Sequence, residues 1–195
     1  MGRSGLQLVW WFLNLLLIEM PQHAFKIIPT PLGDLIAMHE EGALTGLYFT
    51  DQSELSGGGD QYGQPASIYD SPLLKEATER SSDPLLCKLA SQIDAYFDLK
   101  PARFDIPLKP KGTLFQQVVW NALKQVPYGS SLSYGELAHT IQRPRAVRAV
   151  GQAVGANPWI IVVPCHRVLA AGGKLGGFSS GIERKKALLK MEGLL

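Results

Sequence analysis

The sequence predicts two structural units, an α/β N-terminal domain and a mostly α-helical C-terminal domain that contains a helix-turn-helix. Residues 25–50 alternate short apolar runs with turn residues, which is typical of an antiparallel meander. Residues 113–155 instead carry two capping boxes, each followed by apolar residues at helical spacing. A chain of 195 residues can bury a core in each unit, so we place the two domains at residues 23–108 and 109–195.

Charge separates the same two halves of the chain. Residues 1–100 hold 6 Lys and Arg against 13 Asp and Glu, whereas residues 101–195 hold 13 against 4. A basic half joined to an acidic half indicates that the C-terminal half meets a polyanion, and nucleic acid is the commonest polyanionic partner. The alternative is a basic surface that serves solubility alone.

Residues 1–22 precede the first predicted strand and are strongly apolar. The run from Leu6 to Ile18 is too short to span a bilayer comfortably and resembles the core of a signal peptide, yet no small-residue cleavage site follows it. Met20 offers a second possible start of translation. We interpret residues 1–22 as an apolar N-terminal extension rather than an export signal, and we expect a cytoplasmic protein with no membrane partner.

The N-terminal domain is predicted to be a three-stranded antiparallel sheet covered by one helix. Residues 51–82 lose periodicity and collect Gly, Pro, Ser and Asp, so they are predicted to form a long loop. Asp83 and Pro84 then supply an N-cap and a first-turn proline for a helix that runs to about Leu99. The apolar face of this helix would cover the sheet with Leu86, Leu89, Ile93 and Phe97. Cys87 is expected to pack at the edge of that face.

Three further helices are predicted in the C-terminal domain before its reactive segment. Capping boxes at Thr113–Gln116 and Ser133–Glu136 open the first two, and the second helix ends near Ile141. A turn at residues 142–144 leads into a third helix over residues 145–155. Two short helices joined by a tight turn form a helix-turn-helix pattern. A last helix, capped by residues 180–183, is predicted to run through Met191.

The third of these helices has an unusual composition for a helix that reads the major groove. Apart from Arg148 and Gln152, its side chains are small or aliphatic and offer little to hydrogen-bond the edges of bases. Small residues allow close approach to a sugar-phosphate backbone, as in sequence-independent binding through the minor groove. Arg148 is therefore a candidate for a specific role, although it could equally be one of several cations that contact phosphates.

The segment Val162–Leu169 places a thiol, an imidazole and a guanidinium consecutively between two apolar runs, and it is predicted to be a buried strand or extended segment. A neighbouring imidazole can take the proton of Cys165, and a cation favours the nucleophilic thiolate. On these residues alone an inert buried cysteine beside a surface His-Arg pair is equally compatible with the sequence. Cys87 and Cys165 are the two cysteines of the chain, so neither a disulfide framework nor a paired metal-ligand spacing is present.

In the order and spacing of these motifs, the C-terminal half resembles the O6-alkylguanine-DNA alkyltransferase family. The family's Pro-Cys-His-Arg-Val motif stands here at Pro164–Val168. The resemblance extends over about residues 25–193, and its further segments are Thr30–Gly33, Leu44–Leu47, Phe115–Trp120, Ser133-Tyr134, Arg145–Gly151, Gly155–Pro158, the glycine-rich loop 172–181 and Glu192-Gly193. It implies a ribonuclease H-like N-terminal domain and a winged-helix-like C-terminal domain.

The resemblance also implies a function, direct-reversal repair of alkylated DNA with no cofactor. Cys165 would accept the alkyl group irreversibly from a flipped base in double-stranded DNA, either O6-alkylguanine or O4-alkylthymine. His166 would act as base through a bridging water, with Glu192 orienting it. Tyr134 would hydrogen-bond or protonate the leaving guanine, and Asn157 would brace the active-site turn. We expect one transfer per molecule, by a monomer.

The same resemblance assigns the residues that hold DNA and the damaged base. Arg148 would fill the gap left by the flipped base, and Ser179 would contact the guanine O6. The remaining substrate-binding and DNA-binding residues implied by the resemblance are Tyr134, Ala146, Gly151 and Arg167. The chain departs from the family pattern at Ser180, which leaves the pocket width open, and it lacks the family's N-terminal Cys and His cluster, so we predict no metal.

Two alternatives from other functional classes remain for comparison. Alkyltransferase-like damage sensors keep the fold and the base pocket but hold a tryptophan at the cysteine position, where this chain has Cys165. A winged-helix transcription regulator would need polar side chains that read bases on its second helix, and these are missing here. In either alternative, Cys165→Ala would leave the function intact.

Overall fold

The fold is seen in a computed structural model that describes residues 23–51, 78–99 and 103–195. The predicted extension at residues 1–22 and most of the predicted loop lie outside these described residues. The strands are β1 (His23–Ile28), β2 (Leu35–Glu40), β3 (Ala43–Phe49), β4 (Thr78–Glu79), β5 (Leu132–Ser133) and β6 (Val168–Leu169). The α-helices are α1 (Pro84–Phe97), α2 (Leu114–Leu123), α3 (Tyr134–Thr140), α4 (Val147–Gly155) and α5 (Ile182–Met191), with short 3-10 turns at Cys165–Arg167 and Ala171–Gly173.

The N-terminal sheet has the strand order β3-β2-β1-β4. Strands β1, β2 and β3 pair antiparallel, which confirms the predicted meander. Strand β4 is an addition to the prediction, because it pairs parallel with β1 inside the range assigned to the loop. Two residues are too few to show an alternating pattern, so the pairing of β4 comes from tertiary contact rather than from a local signal.

Helix α1 packs one apolar face against the sheet, as predicted. The Asp83 carboxylate accepts hydrogen bonds from two backbone N–H groups of the first turn, and Pro84 opens the helix. The buried residues are Leu86, Leu89, Ile93 and Tyr96. The helix ends at Phe97 rather than Leu99, and Tyr96 is more deeply buried than Phe97. The expectation for Cys87 is wrong, since its side chain is exposed.

The helix-turn-helix consists of α3 and α4, and local capping explains where its elements begin. Both predicted capping boxes are present in full, at the starts of α2 and α3. Helix α4 begins at Val147, two residues later than predicted, because Ala146 closes a turn onto the Arg143 carbonyl before the helical hydrogen bonds start. The N-cap of α5 is Gly181 at φ +92°, so the predicted side-chain cap from Ser180 is wrong.

The segment before the reactive turn is hydrogen-bonded to the edge of the N-terminal sheet. The Leu47 N–H donates to the Pro158 carbonyl over 2.8 Å, and the Ile160 N–H donates to the Leu47 carbonyl over 3.1 Å. The Trp159 indole N–H reaches the Leu44 carbonyl at 2.9 Å. These hydrogen bonds to β3 therefore fix the position and direction of residues 158–160, a few residues before Cys165.

None of the helices in residues 23–51, 78–99 and 103–195 is long and apolar enough to cross a bilayer. In the same ranges no three His, Cys, Asp or Glu side chains lie together in a group that could hold a metal ion.

Candidate active site

The reactive segment is a tight turn rather than the extended strand that its apolar flanks predict. Residues Cys165–Arg167 form one turn of 3-10 helix, and the Cys165 N–H donates to the Val163 carbonyl over 2.8 Å. Pro164 favours this break because it lacks an N–H for a strand ladder. The chain then enters β6, which pairs parallel with β5 immediately before Tyr134. This pairing helps to bring the thiol and the Tyr134 ring to the same pocket.

Asn157 connects the end of helix α4 to the cysteine. Its side-chain amide nitrogen donates to Cys165 Sγ over 3.1 Å and to the Val163 carbonyl over 2.8 Å. Its side-chain oxygen accepts from the Trp159 N–H at 3.1 Å. All of these contacts are buried, so one side chain holds both the backbone and the sulfur of the turn.

The Cys165 thiol is 3% exposed, and burial raises its pKa because a thiolate loses the stabilisation of water. The amide of Asn157 and the positive charge of Lys185 act in the opposite direction without reversing that effect. A thiol of raised pKa is protonated at neutral pH. It therefore needs a base when it reacts.

His166 stands next in the chain and is fully buried. Its Nε2 lies 2.9 Å from Glu192 Oε1, and a bond to an ionised carboxylate assigns the ring proton to Nε2. Burial lowers the pKa of His166, and the Glu192 carboxylate only partly opposes this effect. Nδ1 has no hydrogen-bond partner among the described residues. The ring is thus neutral and keeps one basic nitrogen free.

The Glu192 carboxylate lies at the C-terminal end of α5 and is 4% exposed. Burial alone would raise its pKa, but hydrogen bonds from His166 and Arg167 outweigh burial and lower the pKa to about 2. Arg167 Nε donates to Oε2 and Nη2 donates to Oε1, both over 2.8 Å. Tyr96 also donates its hydroxyl to Oε1, over 2.7 Å. Glu192 is therefore a permanent buried anion with several fixed donors.

Arg167 occupies a different place from the one predicted for it. The resemblance assigns it to substrate or DNA, but its guanidinium is only 7% exposed and holds the Glu192 carboxylate. Its Nη1 donates to the Val126 carbonyl over 2.6 Å. With its donors directed inward, Arg167 balances the charge of Glu192 instead of reaching outward to DNA.

The cation that acts on the thiol is Lys185, which the sequence analysis did not identify. Its side chain is fully buried, and Nζ donates to the Val168 carbonyl over 2.6 Å and to the Gly177 carbonyl over 3.2 Å. Burial lowers the pKa of Lys185 to about 8, opposed by attraction to the Cys165 thiolate. Lys185 therefore ties the glycine-rich loop to β6 and provides positive charge near the sulfur.

A pocket of about 220 Å³ opens onto Cys165. Its lining residues are Tyr134, Gly151, Val154, Gly155, Cys165, Gly177, Phe178 and Ser179. This volume lies below the roughly 300–1,000 Å³ of sites for drug-sized ligands, and it suits a single planar base. Burial raises the pKa of Tyr134, and the nearby thiolate adds to the effect, so its hydroxyl stays protonated and can donate.

The other residues predicted to bind DNA on α4 lie on both sides of the pocket boundary, with Arg148 and Ala146 outside it and Gly151 in its lining. Arg148 is exposed on the first turn of α4, and Ala146 is the N-cap of that helix. Gly151, one turn further along α4, faces Tyr134, where an added Cβ would lie 3.9 Å from the ring. Helix α4 thus lines the pocket with its middle and presents Arg148 to solvent near its start.

Two residues of the site were missed by the sequence analysis, Tyr96 and Lys185. Tyr96 carries a weak signal, because it lies three residues after Ile93 on the buried face and a buried tyrosine hydroxyl needs a partner. Lys185 lies three and four residues before the buried Leu188 and Leu189, so its position on the apolar face was available from helical spacing.

Comparisons with known proteins agree with this geometry. Residues 24–110 match the ribonuclease-like domain of 6-O-methylguanine DNA methyltransferase, and residues 114–194 match the DNA binding domain of the same family. A methylated-DNA--protein-cysteine methyltransferase of Mycobacterium bovis is 40% identical over 169 residues, which cover 86% of this chain and 91% of that protein. A protein of the same name from Methanosarcina acetivorans is 54% identical over 102 residues, which are 52% of this chain and 65% of that relative.

Solved structures give the same result. The O6-methylguanine methyltransferase of Mycobacterium tuberculosis superposes with a TM-score of 0.72 at 38% identity, over 87% of this chain and 92% of that one. The structure of that organism's OGT in complex with DNA superposes with a TM-score of 0.71 at 39% identity, over the same shares of each chain. The predicted fold class is therefore confirmed. On the buried Cys-His-Glu arrangement and these matches, the chain belongs to the methylated-DNA--protein-cysteine methyltransferase family.

Proposed function

We propose that this protein repairs alkylated DNA by transferring the alkyl group of O6-alkylguanine in duplex DNA to its own Cys165. The observation that carries the proposal is a buried thiol next in the chain to a buried imidazole whose Nδ1 has no hydrogen-bond partner among the described residues. This pair allows a proton to leave sulfur without a permanent thiolate. The buried Glu192 carboxylate then stabilises the imidazolium that forms.

The transfer is a displacement at the alkyl carbon. Through a bridging water, His166 accepts the thiol proton, and the sulfur electron pair forms the new S–C bond while the C–O6 bond breaks. The electrons of that bond stay on the guanine, which receives a proton from the Tyr134 hydroxyl. The Tyr134 phenolate then regains a proton and the His166 imidazolium releases one through solvent, so that the thiol proton is in net terms passed to the guanine. Asn157 holds the sulfur in line, and Ser179 contacts O6 at the rim of the pocket. The thioether product offers no route to regenerate Cys165, so each molecule acts once.

The size and position of the pocket support a flipped base as the substrate. A base inside a duplex cannot bring its O6 substituent to a sulfur that is 3% exposed. We propose that α4 lies against the minor groove and that O4-alkylthymine enters the same pocket. The protein would act as a monomer in the cytoplasm.

The decisive experiment is an intact mass measurement followed by peptide mapping. The protein is incubated with a short duplex that contains one O6-methylguanine, and the control is the same duplex with unmodified guanine. We expect a gain equal to the mass of one methylene group, located on Cys165 and absent with the control duplex. Binding of the modified duplex without a change in mass would overturn the enzyme proposal in favour of a damage sensor.

Arg148→Ala is expected to slow repair of duplex DNA by roughly 10- to 100-fold, because the gap left by the flipped base would be unfilled. Repair of free O6-alkylguanine base, which needs no flipping, should keep its rate. Single-turnover assays on both substrates measure this difference.

Arg145→Ala is the matched variant for this test, since Arg145 is a nearby exposed cation. Its loss should lower DNA affinity in a salt-dependent way and affect the rate at saturating DNA little. If Arg148→Ala behaves in the same way as Arg145→Ala, then Arg148 is one phosphate contact among several.

A further inference from the structure

Tyr96 is the point at which the N-terminal domain touches the Glu192 carboxylate. It lies in the last turn of α1, is 2% exposed, and donates its hydroxyl to Oε1 over 2.7 Å. The other donors to Glu192 among the described residues are His166, Arg167 and, more weakly, the Gly129 N–H at 3.4 Å. Those three belong to the C-terminal domain, so among the described donors to Glu192 it is Tyr96 that comes from the N-terminal domain.

The Tyr96 ring is fixed by three aromatic neighbours. Phe97 packs edge-on at a centroid distance of 5.4 Å, Phe104 lies at 6.0 Å, and Tyr128 packs edge-on at 6.1 Å. A ring enclosed in this way cannot swing its hydroxyl away from the carboxylate without disturbing the whole cluster. The donor to Glu192 is therefore held in one direction.

Tyr96 donates to the same oxygen that holds His166. Glu192 Oε1 accepts from Tyr96, from His166 Nε2 and from Arg167 Nη2, although a carboxylate oxygen has two lone pairs. The Tyr96 hydroxyl therefore competes with His166 for the lone pairs of Glu192 Oε1. Its removal would strengthen the attraction of Glu192 for a protonated imidazole.

We propose that Tyr96 is a positioning residue for alkyl transfer, through which the N-terminal domain orients Glu192 and keeps His166 neutral. The proposal rests on the proposed function, because it assigns Tyr96 a role in the proton transfer from Cys165. Tyr96 does not touch the reacting atoms and acts through Glu192.

The charged and titratable groups around His166 determine whether its pKa rises or falls in Tyr96→Phe. Besides Glu192, the charged groups that act on His166 are Arg167 and Lys185, and Glu192 also interacts with Tyr128. None of these groups changes in Tyr96→Phe. The pKa of His166 should therefore rise, because the carboxylate facing it loses one competing donor. Transfer needs the neutral His166 ring. As the pH is lowered, the rate of Tyr96→Phe should therefore begin to fall at a higher pH than the rate of the unmodified protein.

The test is the single-turnover rate of methyl transfer from duplex O6-methylguanine, measured between about pH 5 and about pH 9. For Tyr96→Phe we expect the acid limb to move up by roughly half to one pH unit and the plateau rate to fall by about 2- to 10-fold. Affinity for the duplex should not change, since Tyr96 is buried and cannot contact DNA.

Tyr128→Phe is the matched control. It removes a hydroxyl from the same aromatic cluster, but that hydroxyl donates to the Met191 backbone carbonyl over 2.9 Å and not to Glu192. Its acid limb should coincide with that of the unmodified protein. The proposal is wrong, and Tyr96 acts only in packing, if the pH–rate profile of Tyr96→Phe coincides with those of Tyr128→Phe and the unmodified protein. It is also wrong if Tyr96→Phe and Tyr128→Phe lose rate equally at every pH.

A second measurement does not depend on alkyl transfer. NMR titration of the ring of His166 in histidine-labelled protein should give a higher midpoint in Tyr96→Phe, and the shift should vanish when Glu192→Gln is also present. An unchanged midpoint in Tyr96→Phe overturns the inference. By contrast, failure of the unmodified protein to transfer a methyl group overturns the proposed function, and the titration still tests the contact.

Discussion

Replacement of Cys165 by Ala is expected to abolish alkyl transfer while leaving duplex binding intact. Loss of a catalytic nucleophile that works with its own base costs roughly 10,000-fold or more in rate, and no other thiol can take its place. The binding surface on α4 does not include the sulfur, so the affinity for DNA should stay within about twofold. Transfer of a radiolabelled methyl group and a gel-shift titration measure the two properties on the same preparation.

The second cysteine provides the control for this experiment. Cys87 is exposed on α1, where its thiol donates to the Ser81 carbonyl over 3.2 Å. Cys87→Ala should therefore keep full transfer. Retention of transfer in Cys165→Ala, or its loss in Cys87→Ala, would show that the assigned nucleophile is wrong.

Replacement of Glu192 by Gln is expected to damage both stability and transfer. The amide cannot balance the buried Arg167, so the free energy of unfolding at neutral pH should fall by about 3 kcal/mol. A glutamine can also turn its NH₂ group toward His166 and favour the tautomer with the proton on Nδ1. Because that nitrogen is the proposed base, transfer should slow by roughly 100-fold or more. Urea unfolding and single-turnover assays measure these losses.

The loss of stability in Glu192→Gln should depend on pH in a definite direction. The pKa of Glu192 falls from an ordinary 4.5 to about 2 on folding. A group with a depressed folded pKa stabilises the protein fully above its unfolded pKa, and this contribution disappears as the pH falls through the folded value. The stability gap between the unmodified protein and Glu192→Gln should therefore narrow between about pH 4.5 and about pH 2.

Glu183 supplies the matched control, since it lies in the first turn of the same helix α5 and is exposed. Its ion pair with Lys186 is open to solvent, so Glu183→Gln should change the unfolding free energy by less than about 1 kcal/mol. A similar small loss in Glu192→Gln would show that the buried network contributes little to stability.

Local signals explain the parts of this fold that were predictable. The capping boxes at Thr113 and Ser133 join residues three apart, so the sequence contains both partners of each interaction. The antiparallel meander follows from turn residues between apolar runs in the same way. The chemistry of Cys165 and His166 was accessible because the two residues are adjacent, and Glu192 was identified through the family resemblance.

The features that were not predicted depend on contacts between distant segments. Tyr96 meets Glu192 across 96 positions, and Lys185 donates to a carbonyl 17 positions earlier in the chain. Arg167 follows the catalytic pair in a motif, and the sequence alone does not reveal that its side chain turns inward. Strand β4 exists because β1 offers a free edge, a condition that its own two residues do not encode.

The hydrogen bonds between β3 and the segment 158–160 have a consequence for each domain in isolation. Without the C-terminal domain, the N–H and carbonyl groups of Leu47, a fully buried apolar residue of β3, would lose their partners at Pro158 and Ile160 and lie on an open strand edge. Open edges of this kind template pairing with other chains. The residues that lead into the active site therefore also protect the N-terminal sheet from self-association, so separating the two domains would expose a surface prone to aggregation.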